Sequence, residues 1–167
     1  ECDVQITKDG EFVISHDASL SRCFGKDIEI NNVNYDDIKD LYMTVGNNVD
    51  VYSSEKIPTL KEYMDIISSS PTIHAVIEIK ENTLKYTKED IKRMFELISS
   101  YNMNDRESII TFYADVLELL DEVMDEIEHP SEQPEEGDGE SSDNSTDNAS
   151  ILSDSDSEGE DNETVPP

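Results

Sequence analysis

Basic residues are scarce in this chain. Only 12 Lys and Arg stand against 41 Asp and Glu in 167 residues, for a net charge of −29 at pH 7. A surface of that sign repels phosphate backbones, which argues against nucleic acid as a partner. It also repels anionic lipid surfaces unless a cation mediates. Cysteine is nearly missing: Cys2 and Cys23 are too few for a disulfide framework and lack metal-ligand spacing. They read as two free thiols, with a bond between them as the alternative. No apolar run approaches the ~20 residues needed to cross a bilayer. No leader segment is recognisable, and without an initiator Met the opening motif is expected to sit on a cut edge.

The negative charge is divided unevenly. Residues 131–167 hold 13 acidic and no basic residues, which leaves 28 acidic against 12 basic in residues 1–130. That last stretch is dominated by Ser, Glu, Asp, Asn, Gly and Pro, with Ala149, Ile151, Leu152 and Val165 as its apolar breaks. Such a composition buries too little surface to offset its ordering entropy. Residues 129–167 are therefore expected to form a disordered acidic tail after a folded part at 1–128. The tail carries three glycosylation acceptor patterns, Asn144-Ser145-Thr146, Asn148-Ala149-Ser150 and Asn162-Glu163-Thr164. Ser153, Ser155 and Ser157 each precede an acid, the pattern of an acid-directed kinase. A plain solvated spacer explains the same composition, and the tail also suits a basic partner. Its Ser/Asn/Pro content resembles linkers of surface proteins and leans towards a secreted or cell-surface location.

The folded part alternates strands with helices. Asp9-Gly10 between two alternating runs predicts a hairpin whose second arm is Phe12 to Ile14. Residues 18–32 read as irregular, Asn34 opens a short helix through Tyr35, Ile38 and Leu41, and 42–56 read as loop. Thr59-Leu60-Lys61-Glu62 is a capping-box pattern before a helix with Leu60, Tyr63, Met64 and Ile67 at helical spacing. Residues 74–80 read as a buried strand. Thr87 caps a helix carrying Ile91, Met94, Phe95 and Ile98, residues 108–112 form a strand, and 115–127 form a last helix. This rhythm predicts an α/β fold with a parallel sheet. About four strands cannot close an eight-stranded barrel, so the chain is expected to be part of a larger one.

The chemistry concentrates in two places. A strand puts residues i and i+2 on one face, so Glu1 and Asp3 can share one cation, and the returning hairpin arm brings His16 towards their level. Glu78 and Lys80 repeat that spacing on a strand otherwise built from Val76, Ile77 and Ile79. A carboxylate there is costly unless it is paired or metal-bound. One reading is a plain ion pair of Glu78 with Lys80 or with an arginine. The other joins Glu78 to Glu1 and Asp3 as a hard, all-oxygen site for Ca²⁺ or Mg²⁺. Lys80 then becomes a point charge for an anionic substrate group. His74, on the inward parity of the same strand, is expected to be structural, and His129 a helix C-terminal cation.

These residues also carry a resemblance. Glu1-x-Asp3-Val4-x-x-Thr7-Lys8-Asp9-Gly10, then Val13-Ile14-x-His16-Asp17, Leu20 and Arg22, is similar to the glycerophosphodiester phosphodiesterase family. Ile57-Pro58-Thr59-Leu60-Lys61-Glu62, Val76-Ile77-Glu78-Ile79-Lys80 and Ile109-Ile110-Thr111-Phe112 follow in the family's order. The resemblance runs from Glu1 to about Ile127. It implies a partial (βα)₈ TIM barrel of the phospholipase C-like phosphodiesterase type. It implies a divalent cation on Glu1, Asp3 and Glu78, His16 as one of two catalytic histidines, and Lys80 as a phosphate contact. The implied reaction hydrolyses a glycerophosphodiester to glycerol 3-phosphate and an alcohol.

The departures are specific. The family opens with a His-Arg-Gly motif on its first barrel strand, and this chain starts downstream of it. The partner histidine and a phosphate-binding arginine go with that segment. Thr111 stands where the family usually has serine, and acidic tail replaces the later strands. The isolated chain is therefore expected to be inactive and its full-length parent to be a phosphodiesterase. Two alternatives remain at this stage: a sphingomyelinase D-like phospholipase, and a non-catalytic acidic binding module.

Overall fold

A computed structural model of the chain describes residues 1–80, 85–103 and 105–130. The stretch 131–167, with the expected disorder and the glycosylation and kinase patterns, lies outside the described residues. In chain order the elements are β1 (Cys2–Ile6), β2 (Phe12–Ile14), α1 (Ser21–Phe24), a 3-10 turn (Ile30–Asn32), α2 (Tyr35–Ile38), α3 (Leu60–Ser68), β3 (Ala75–Ile79), α4 (Lys88–Ser99), β4 (Glu107–Ile110) and α5 (Ala114–Glu128).

The sheet runs β2-β1-β3-β4. β1 pairs antiparallel with β2 and parallel with β3, and β3 pairs parallel with β4. The two pairings of β1 are staggered. Its start meets the end of β3, with Asp3 opposite Glu78, while the rest of β1 pairs with β2. The hairpin forms at Asp9-Gly10, but its ladder stops at Ile6 and Phe12, leaving a five-residue loop. Thr7 organises that loop: its N–H donates to the Glu11 carbonyl at 2.9 Å and its hydroxyl to Asp9 Oδ1 at 2.6 Å. Gly10 takes φ +86°, and a Cβ there would meet Arg93 Nη1 at 2.8 Å. Only glycine adopts that conformation without strain.

Helices cover one face of the sheet. Cys2, Val4 and Ile6 of β1 and Ala75, Ile77 and Ile79 of β3 are buried against Leu60 and Met64 of α3, Ile91, Met94 and Ile98 of α4, and Val116, Leu120 and Val123 of α5. The i, i+3, i+4 and i+7 spacings produce these stripes, and each fully buried large side chain contributes about 1.5–3 kcal/mol. Capping boxes start α3 at Thr59 and α4 at Thr87.

The stretch expected to be irregular has its own core. Val13, Leu20, Phe24, Ile30, Ile38 and Ile57 bury together, with Leu41 and Met43 packed against them. The helix expected after Asn34 is a single turn. Leu41 and Met43, just beyond its end, pack against this second core, and tertiary packing routinely overrides local helix propensity.

Candidate active site

Register builds the acidic part of the site. Asp3 and Glu78 are direct Cα partners across β1 and β3, on the sheet face away from the helices. Strand alternation adds Glu1 and Lys80 to the same face. One carboxylate oxygen from each of Glu1, Asp3 and Glu78 lies within 4.8 Å of the others. The gradient runs from exposed Glu1 through half-buried Asp3 to buried Glu78, which is 6% exposed.

Lys80 completes the cluster. Its Nζ stands 3.0 Å from Asp3 Oδ1 and 2.5 Å from Glu78 Oε1. Burial pulls the Lys80 pKa down, but hydrogen bonding to Glu78 and Asp3 outweighs it, and the net direction is upward. Glu78 Oε1 is sealed from solvent, with the Lys80 ammonium as its neighbour at 2.5 Å. Such an oxygen in a three-carboxylate set fits a hard divalent cation. The ion pair and the ligand cluster, alternatives in the sequence, share the same atoms.

The hairpin delivers the histidine. The N–H of Ser15 donates to the Asp3 carbonyl at 2.9 Å, so His16 follows directly on a residue tied to the acidic strand. Its ring is largely in solvent, and Nδ1 lies 2.9 Å from Asp17 Oδ1. Arg22 grips Asp17 with two bonds, Nε to Oδ2 at 2.6 Å and Nη2 to Oδ1 at 3.0 Å. The Arg22 hydrogen bond first, and the His16 bond next, hold the Asp17 carboxyl at about 2. The sequence pattern contains Asp17 and Arg22 but assigns neither a role. The available signal was a His-Asp dipeptide with an arginine five residues after the aspartate.

The other histidines lie elsewhere. His74 precedes β3, at the end of the strand opposite Glu78, and its Nε2 is 2.9 Å from Ser108 Oγ. His129 is the C-cap of α5, with Nδ1 3.5 Å from Asp125. Thr111 donates its hydroxyl to the Ile79 carbonyl at 3.1 Å, a bond that serine would also make.

The sequence pattern of the glycerophosphoryl diester phosphodiesterase family matches residues 1–135. The chain belongs to this family. Within it, the chain is 30% identical over 112 residues to a glycerophosphodiester phosphodiesterase of Caldanaerobacter subterraneus subsp. tengcongensis, covering 67% of this chain and 45% of that one. An uncharacterised Bacillus subtilis protein is also 30% identical, over 71% of this chain and 48% of that protein. The chain thus spans about half the length of these curated relatives. Solved structures agree on the fold. A glycerophosphodiester phosphodiesterase from Agrobacterium tumefaciens superposes with TM-score 0.62 at 19% identity, over 75% of this chain and 50% of that one. An Oleispira antarctica phosphodiesterase, solved with the product sn-glycerol-3-phosphate, gives 0.60 at 24%, over 78% and 50%. The four-stranded sheet is accordingly a partial TIM barrel of the phosphodiesterase family.

Proposed function

We propose that this chain carries the acidic cluster and one acid–base residue of a metal-dependent hydrolase of lipid metabolism. Its substrate is a glycerophosphodiester, and its products are glycerol 3-phosphate and an alcohol. The convergence of Glu1, Asp3 and Glu78 on one point, with Lys80 beside them, carries this reading. Family membership and the name of the Caldanaerobacter relative support it. Glu1, Asp3 and Glu78 would hold Ca²⁺ or Mg²⁺, which when bound supplies positive charge to polarise the phosphoryl oxygens and activate a hydroxyl. Lys80 offers a compact ammonium to a phosphate oxygen. His16 takes or gives a proton at a ring nitrogen, as general base or acid. Two-histidine chemistry needs a second imidazole, and His74 and His129 are both placed away from the cluster. The isolated chain therefore does not turn over, whereas the full-length product of its gene does.

Release of glycerol 3-phosphate from glycerophosphocholine tests this, with Ca²⁺, Mg²⁺ or EDTA present. The expected result is no release by this chain and cation-dependent release by the full-length product. His16→Ala or Glu78→Gln should reduce the latter by about 100-fold or more. Turnover by the isolated chain would overturn its inactivity. Hydrolysis of sphingomyelin in place of glycerophosphocholine would replace the substrate assignment. Silence of the full-length product on both would leave a binding module.

A further inference from the structure

The geometry points to Asp17 as the positioning residue for His16, with Arg22 as the clamp that keeps Asp17 in place. The inference rests on the reading of His16 as an acid–base residue and adds which ring nitrogen does the work.

His16 is 64% exposed, so packing does not set the orientation of its ring. What holds it is the 2.9 Å contact between Nδ1 and Asp17 Oδ1. A carboxylate two bonds from its own backbone would normally sample several rotamers. Arg22 removes that freedom by donating from Nε to one oxygen and from Nη2 to the other, the planar fork that arginine alone provides. The Arg22 side chain is 62% exposed, but its backbone is anchored on α1 between Leu20 and Phe24, both buried in the second core. The stretch is tied on both sides of the histidine. Ser15 donates its N–H to Asp3 and its hydroxyl to the Asp17 carbonyl at 2.8 Å.

The consequence is a choice of tautomer. An ionised carboxylate only accepts hydrogen bonds, so the proton of neutral His16 sits on Nδ1. Nε2 then bears the lone pair, and proton exchange with a substrate takes place there. The second core thus reaches the chemistry through Phe24, Arg22 and Asp17. The same logic governs a buried catalytic Asp–His pair, where replacing Asp by Asn leaves the geometry but reverses the tautomer. Here the pair is exposed, so the clamp replaces burial.

Long-range ¹⁵N–¹H spectra of the full 167-residue chain at about pH 8, where a histidine is mostly neutral, read the tautomer directly. The His16 signals are assigned by their loss in His16→Gln. The wild type is expected to show mainly Nδ1–H, and Asp17→Asn a mixture or mainly Nε2–H. Arg22→Gln should lie between them, as should Asp17→Glu, which keeps the charge but changes the reach. An Nε2–H majority in the wild type would overturn the inference. So would an unchanged tautomer ratio in both Asp17→Asn and Arg22→Gln. Because no hydrolysis is measured, a failed phosphodiesterase assay would leave this result standing, and the reverse also holds.

Discussion

The ammonium of Lys80 lies 2.5 Å from Glu78 Oε1, on the same strand face two residues away. The same nitrogen reaches Asp3 on the neighbouring strand. One lysine therefore offsets two carboxylates that register forces together, and the cluster's charge balance depends on it.

Removing that lysine should expose the dependence. Lys80→Met leaves Asp3 and Glu78 facing each other at low exposure, and breaking a buried pair costs about 3–5 kcal/mol, less where solvent reaches it. The urea midpoint of Lys80→Met is expected to fall by the equivalent of about 2–3 kcal/mol in EDTA. Millimolar Ca²⁺ should restore much of this loss and stabilise the wild type less. An equal response of both proteins to Ca²⁺ would mean that lysine and cation do not share the carboxylates.

Acid stability follows from Asp17. Its carboxyl is held at about 2, against an ordinary 3.8, by the Arg22 hydrogen bond and then the His16 bond. The unfolded chain binds that proton more readily, so the pair contributes stability above pH 3.8 and loses it as pH falls through about 2. Urea midpoints of wild type and Arg22→Gln should differ most above about pH 4 and converge towards pH 2. The gap stays small throughout, because the pair is solvated.

The two thiols should separate kinetically. Cys2 is buried on the helix-covered face, and burial pushes its thiol up to about 11. Cys23 is half-buried on α1. Iodoacetamide near neutral pH is expected to label Cys23 well before Cys2, as read by mass spectrometry of peptides. The raised Cys2 value also means that its contribution to stability is complete below 9.0 and fades as pH rises through about 11. Equal labelling rates would show that β1 opens easily.

The start of α3 offers a local test. Thr59 Oγ1 accepts from the Glu62 N–H at 3.1 Å, and the Glu62 carboxylate accepts from the Thr59 N–H at 2.8 Å. Thr59→Ala should cost about 1–2 kcal/mol and lower the Tm by several degrees. Thr87→Ala at α4 carries the same box in a more exposed setting, and about 0.5–1 kcal/mol is expected.

Much of the fold was legible. Periodicity placed the apolar stripes of α3, α4 and α5 because each buries one continuous face against a sheet. The short helix at Ile38 was legible from its Asn34 start, but the joint core that it forms with the segments around Leu20 and Ile57 was not. Their elements are too short to repeat a period, and their order comes from a core assembled across 44 residues of chain, from Val13 to Ile57. The acidic candidates were legible from spacing within each strand. Lys80 bridging Asp3 and Glu78 was not, because it requires the stagger of one strand on another.

The sequence by itself determined which residue types are present, which alternate, and which family the chain resembles. Those properties are local, set by side-chain chemistry and by backbone periods of two and 3.6 residues. Only the tertiary structure decided that Asp3 stands opposite Glu78 and that Arg22 clamps the partner of His16. Strand register is set by packing between segments 75 residues apart in sequence. A slip of one residue would turn Glu78 from the cluster into the apolar core.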